Sequence, residues 1–181
     1  MHLSIVNCPD KGRFRPYVKR AAIFYAEYLM TKSMLENIHL RIKFDAKLDV
    51  CGYASVEEYN GCGKAREFLI ELNPKIGARE ILDTLAHEMV HVKQYAYSET
   101  NERLTRWRGE YISDDVDYYD QPWEVEAYGM AVGLFTKFAI QEKLWEVFEG
   151  ISNPETPIEK KPLGWIRDAQ IGKDCSNNGW V

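Results

Sequence analysis

The chain predicts an α+β fold: a small, mainly three-stranded sheet packed on one central helix, with another helix before it and a long helix after it. Three observations carry this. Apolar residues alternate over 38–44 and 67–72, and a strand-like run lies at 50–56. Apolar residues recur at helical spacing over 16–37, 78–96 and 122–148. The 181 residues, 45% hydrophobic and 13% aromatic, suit a single globular domain with a sizeable core.

The elements follow in order. The start, Met1 to Val6, is a short apolar run interrupted by Ser4 and ended by Cys8-Pro9-Asp10. It lacks the features of a secretory signal, and no segment approaches the ~18 apolar residues of a membrane span. Pro16 opens the first helix, where a first-turn proline is tolerated, and Val18, Ala21, Ala22, Tyr25, Leu29 and Leu35 mark its apolar face. Ile38, Leu40, Ile42 and Phe44 alternate with His39, Arg41 and Lys43, so His39 reads as an outward polar residue. Val50–Val56 is the second strand, and Asn60-Gly61-Cys62-Gly63 is turn-rich. Phe68, Ile70 and Leu72 alternate in the third strand, which Asn73-Pro74 ends. Gly77 precedes the central helix, Ala78 to Ala96, whose apolar stripe is Ile81, Leu85, Met89, Val92 and Ala96. From Ser98 to Gln121 the chain is polar and irregular. Pro122 then opens the last helix, with a stripe of Ala127, Met130, Ala131, Leu134 and Phe138. Residues 150–181, with Pro154, Pro157 and Pro162, read as an irregular C-terminal extension of the one domain, 1–181.

The chemistry sits in the central helix. His87-Glu88-Met89-Val90-His91 fits H-E-x-x-H, in which two histidines one turn apart share a face and can grip one metal ion. Glu88 stands on the flank as a general base for water. At this chain's His and Glu frequencies the pattern arises by chance in about one random chain per hundred, so its setting decides. The histidines lie opposite the main apolar stripe, together with Thr84 and Gln94. A solvated sector would normally carry lysine and arginine instead, which favours the metal reading.

A catalytic zinc takes three protein ligands. The two remaining histidines, His2 and His39, both precede the motif, so the third ligand is expected to be a downstream carboxylate. Glu124, Glu126 and the aspartates of 114–120 are the candidates. At 100° per residue Glu124 lies roughly 60° from the centre of the last helix's stripe and Glu126 about 100°, which favours Glu124.

Gly52-Tyr53-Ala54, the segment Phe68 to Pro74, His87 to His91, and Pro122-Trp123-Glu124-Val125-Glu126-Ala127-Tyr128 together resemble a small zincin metallopeptidase of the SprT-like or minimal gluzincin type, many of them encoded by bacteriophages. The resemblance spans about residues 50 to 135. It implies a zincin-like fold, a Zn²⁺ cofactor and hydrolysis of peptide bonds, with His87, His91 and Glu124 as ligands and Glu88 as catalytic base. In such proteins the ligand glutamate often stands three residues before a helical alanine, which again selects Glu124, before Ala127.

The expected partner is a protein or peptide substrate, pairing with the strand Phe68–Leu72 as an added strand. Tyr118 or Tyr119 is a candidate oxyanion donor, although ordinary loop packing is the simpler reading. The acidic run Asp114–Asp120 does not match an EF-hand and reads as a solvated face. A net charge of −5 argues against broad nucleic-acid binding, and the cluster Lys11, Arg13, Arg15, Lys19 and Arg20 reads as a solvated helix entrance. The four cysteines, Cys8, Cys51, Cys62 and Cys175, match no zinc knuckle or redox pair. Free, mostly buried thiols point to the cytoplasm, the host's where a phage encodes the protein. Two other readings remain: a zinc-holding zincin-fold protein that binds a partner without cleaving it, and a nucleic-acid-associated protease acting through the Lys11–Arg20 cluster.

Overall fold

The computed structural model describes residues 1–152; the extension read for 150–181 therefore lies almost wholly outside the described residues. The fold is α+β. Its strands are β1 (His2–Val6), β2 (His39–Phe44), β3 (Gly52–Tyr59) and β4 (Ala65–Leu72), and its helices α1 (Arg15–Leu29), α2 (Lys32–Leu35), α3 (Ala78–Ala96) and α4 (Pro122–Glu142). A two-residue hairpin, β5 (Arg106–Trp107) and β6 (Glu110–Tyr111), interrupts the long loop before α4.

The sheet has four strands in the order β1-β2-β4-β3, one more than expected. β1 runs parallel to β2, with Leu3 beside Leu40 and Ile5 beside Ile42. Its alternation, Leu3 and Ile5 against His2, Ser4 and Val6, is only five residues long, and its partner lies more than thirty residues ahead. β2 is also parallel to β4, while β3 closes a hairpin onto β4 in antiparallel register. This corrects the edge assignment. The segment Phe68–Leu72 is interior, paired on both sides, and the edges are β1 and β3.

The first helix is broken where one helix over 16–37 was expected. Met30 turns extended, and Thr31 accepts a hydrogen bond from the Met34 amide to cap a new short turn. The last helix ends at Glu142 rather than near 148, because Lys143 takes the left-handed conformation (φ 49°) that terminates helices. Glu80 accepts from the Gly77 amide at 3.0 Å, which secures the start of α3.

The core lies where one face of the sheet meets α3, with α1 and α4 packed against α3. Ile38, Leu40, Ile42, Phe44, Phe68, Ile70 and Leu72 are buried, as their alternation predicted. So are Ile81, Leu85, Met89, Val92 and Ala96 of α3. On α4 the stripe is shifted: Trp123, Phe135 and Ala139 join Ala127, Ala131, Leu134 and Phe138 inside, while Met130 is exposed. His39 is exposed, as read. Of the described cysteines Cys8 is buried, but Cys51 and Cys62 are exposed free thiols, against the expectation of mostly buried ones. The basic cluster near the start partly folds back on the chain: Arg20 pairs with Glu142 at 2.9 Å, and Arg13 donates to the Val147 carbonyl. No described helix is long and apolar enough to cross a membrane.

β3 approaches α3 closely at one residue. A Cβ on Gly52 would stand 2.5 Å from Thr84 Cγ2 and 3.3 Å from the Glu71 carbonyl oxygen. Gly52→Ala should therefore cost about 1–3 kcal/mol by overpacking. A fall in Tm that Thr84→Ala partly restores would identify the contact as the cause. An unchanged Tm would place the cause elsewhere.

Candidate metal centre

α3 presents His87 and His91 one turn apart toward the first turn of α4, from which Glu124 reaches back. The separations between nearest ligand atoms are short. His87 Nε2 lies 3.1 Å from His91 Nε2 and 3.3 Å from Glu124 Oε2, and His91 Nε2 lies 3.5 Å from Glu124 Oε1. These three residues are the group, among those described, that could hold a metal ion. Glu124 is buried, 5% exposed, and its Oε2 has no hydrogen-bond partner. A buried carboxylate oxygen is costly unless paired, so an orphan beside the His87 imidazole nitrogen suits a cation-binding role. Burial pushes the Glu124 carboxyl up, but the adjoining His87, His91 and Tyr118 outweigh it and hold the group at about 2. Glu124 thus presents a carboxylate, the form that binds metal.

The outer contacts fix how His91 faces the group. Gln94 is fully buried, and its Nε2 donates to the Trp123 carbonyl at 2.9 Å and to Glu126 Oε2 at 3.0 Å. Both partners only accept, so the amide cannot flip, and Gln94 Oε1 must face His91 Nδ1, 2.9 Å away. His91 therefore carries its proton on Nδ1 and directs the Nε2 lone pair at Glu124 and His87. Glu126 is not part of the triad. It receives Lys93 Nζ at 3.1 Å and Arg108 Nη2 at 2.6 Å, and both cations also bind Glu99. Arg108 reaches it from the β5–β6 turn, where Arg108 and Gly109 both have positive φ (49° and 95°), as a two-residue hairpin requires. The two glutamates of α4 divide the work by helical phase. One joins the histidines, and the other sets the glutamine that orients one of them.

Burial pushes Glu126 up, but Gln94, Lys93 and Arg108 outweigh this and hold it below the ordinary carboxylate range. A depressed carboxyl stabilises the fold above its ordinary pKa and loses that contribution as pH falls through the folded value. Glu126→Gln should therefore flatten the acid limb of the stability–pH curve, measured by thermal melts between about pH 3 and 7. It should also weaken metal affinity by about 10–100-fold, as loss of an outer partner does.

Glu88 lies beside the triad, 6% exposed. Burial raises its carboxyl above the ordinary range, against the pull of His91 and His87, and the Ala54 backbone N–H of β3 donates to it. Tyr118 comes from the turn before α4. Its hydroxyl adjoins Glu124 and Tyr128, and burial with the neighbouring negative charge raises it well above the ordinary tyrosine range. Tyr118 lines the cleft that holds His87, His91, Glu88 and Glu124. Tyr119 does not line this cleft; it packs on Tyr118 and Tyr128. Gln94 shares the histidines' sector in the sequence, but its tie to Glu126 joins two helices and leaves no trace in local spacing.

No protein-family model matches the chain, and no curated protein or solved structure matches it.

Proposed function

We propose that the protein is a zinc-dependent metallopeptidase of zincin-like fold. The observation that carries this reading is the convergence of His87, His91 and Glu124 beside the buried carboxylate of Glu88. Ligands of tetrahedral zinc at 2.0–2.1 Å stand about 3.3 Å apart. The separations of 3.1, 3.3 and 3.5 Å bracket that value. Two imidazoles and a carboxylate leave the fourth position open, the pattern of catalytic rather than structural zinc.

His87, His91 and Glu124 would hold Zn²⁺, which supplies Lewis acidity to activate water and polarise a peptide carbonyl. Glu88 takes the proton from the attacking water on its carboxylate and delivers it to the departing amine nitrogen. The free edge of β3 at Tyr53 and Ala54 borders the same cleft, where an extended peptide would add as a strand. Tyr118 would donate its O–H to the oxygen that gains charge as the carbonyl is attacked.

The test is direct. Zinc-loaded protein is incubated with a diverse peptide library, and new termini are read by mass spectrometry. Cleavage abolished by chelator and restored by zinc supports the reading. One zinc per chain with no cleavage of any peptide would sink it in favour of a zinc-holding binding protein.

A further inference from the structure

A second part of the cleft is not used by the chemistry above. Beside His87 and Glu88, a cavity of about 540 Å³ opens between α3, α4 and the chain entering β3. Its walls are largely apolar, from Val50, Ala131, Val132 and the ring of Tyr128. No lysine or arginine lines it among the described residues. Asp83, one turn before His87, contributes a carboxylate to this lining. Asp83 Oδ1 is buried and has no hydrogen-bond partner. Arg79, one turn earlier again, lies over the Phe135 ring, 5.6 Å from its centre, and its charge, like that of His87, still favours the Asp83 carboxylate. Asp83 Oδ1, so enclosed, is not open to the cavity; Oδ2 is the Asp83 oxygen left to meet a ligand.

We infer that this cavity is the subsite for a lysine or arginine side chain of the substrate, with Asp83 as its charge partner. The inference rests on the peptidase reading and adds to it a substrate class. The chemistry of the walls fits both halves of such a side chain. The methylene stem packs on Val50, Ala131, Val132 and Tyr128, and the cationic head meets the carboxylate. A leucine or phenylalanine could fill the apolar part but would bring no charge to the Asp83 carboxylate, and a glutamate would be repelled. The surroundings agree in sign. Tyr118, which lines the cavity, sits within the acidic run Asp114–Asp120, and the chain carries a net charge of −5, so basic segments are attracted toward this mouth.

The experiment uses zinc-loaded wild-type protein and Asp83→Asn, with zinc content and Tm checked for both. Peptides differ only in Lys, Arg, Leu, Phe or Glu at each position flanking the scissile bond. At one position Lys and Arg should exceed Leu in kcat/KM by about tenfold or more, and Asp83→Asn should bring that ratio toward one. Asp83→Lys should turn the preference toward Glu. No basic preference at any position, or a preference unchanged in Asp83→Asn, overturns the inference while leaving the peptidase reading intact. If no peptide is cleaved, the peptidase reading fails, and binding of the same peptides, fluorescein-labelled, decides the subsite by anisotropy. Tighter binding of basic peptides to wild type than to Asp83→Asn supports it; equal binding overturns it.

Discussion

Replacing Glu88 by Gln will leave the zinc content of the protein unchanged and lower peptide hydrolysis by about 10²–10⁴-fold, the usual contribution of a positioned general base. The substitution is nearly isosteric. Its amide oxygen can still accept from the Ala54 N–H, so the buried pocket and the approach of β3 should survive. Glutamine cannot take a proton from water or pass one to the leaving amine. The measurement pairs zinc per chain, by elemental mass spectrometry, with kcat/KM on a cleaved peptide. Activity within about tenfold of wild type would mean that another group carries the proton.

The second large effect is on metal binding. His87→Ala and Glu124→Ala should each lose more zinc affinity than the 10–100-fold expected of an outer partner such as Glu126. A ligand that binds only the folded state raises stability by RT ln(1 + [L]/Kd), so the loss is visible in melting. Saturating zinc should raise the Tm of wild type and, less, that of Glu126→Gln. It should leave His87→Ala and Glu124→Ala nearly unmoved. The pair Glu124 and Glu126 makes the comparison sharp, because both are carboxylates in the first turn and a half of α4. Equal losses at the two positions would contradict the division of roles between them.

The site was more legible in the sequence than the sheet around it. His87 and His91 lie one turn apart on α3, so helical spacing alone brings them together. Glu124 is thirty-three residues beyond His91, yet the absence of a downstream histidine and the phase of α4 selected it, and it lies within 3.5 Å of both imidazoles. Contacts between elements were not legible. β1 has only five residues and pairs with a strand far along the chain, so nothing local marks it. The edge was misassigned because alternation shows which face of a strand is buried, and says nothing of whether one or two neighbours flank it. The hairpin at Arg108-Gly109 lacks the usual Asn-Gly, and Arg108 holds its positive φ while its side chain bridges Glu99 and Glu126. Gln94 shares the histidine sector in the sequence, whereas Tyr118 reads first as ordinary loop packing. Their tasks depend on α3, α4 and the loop meeting at one place, which no single segment encodes.

The most direct test of the central claim is a crystal structure of the zinc-loaded protein with anomalous scattering measured on both sides of the zinc edge. The account predicts one zinc peak about 2.0–2.2 Å from His87 Nε2, His91 Nε2 and a Glu124 carboxylate oxygen, with Glu88 beside it and not bound. A peak held by Glu126 or by the 114–120 aspartates, or no peak among these residues in protein that carries zinc, would contradict it.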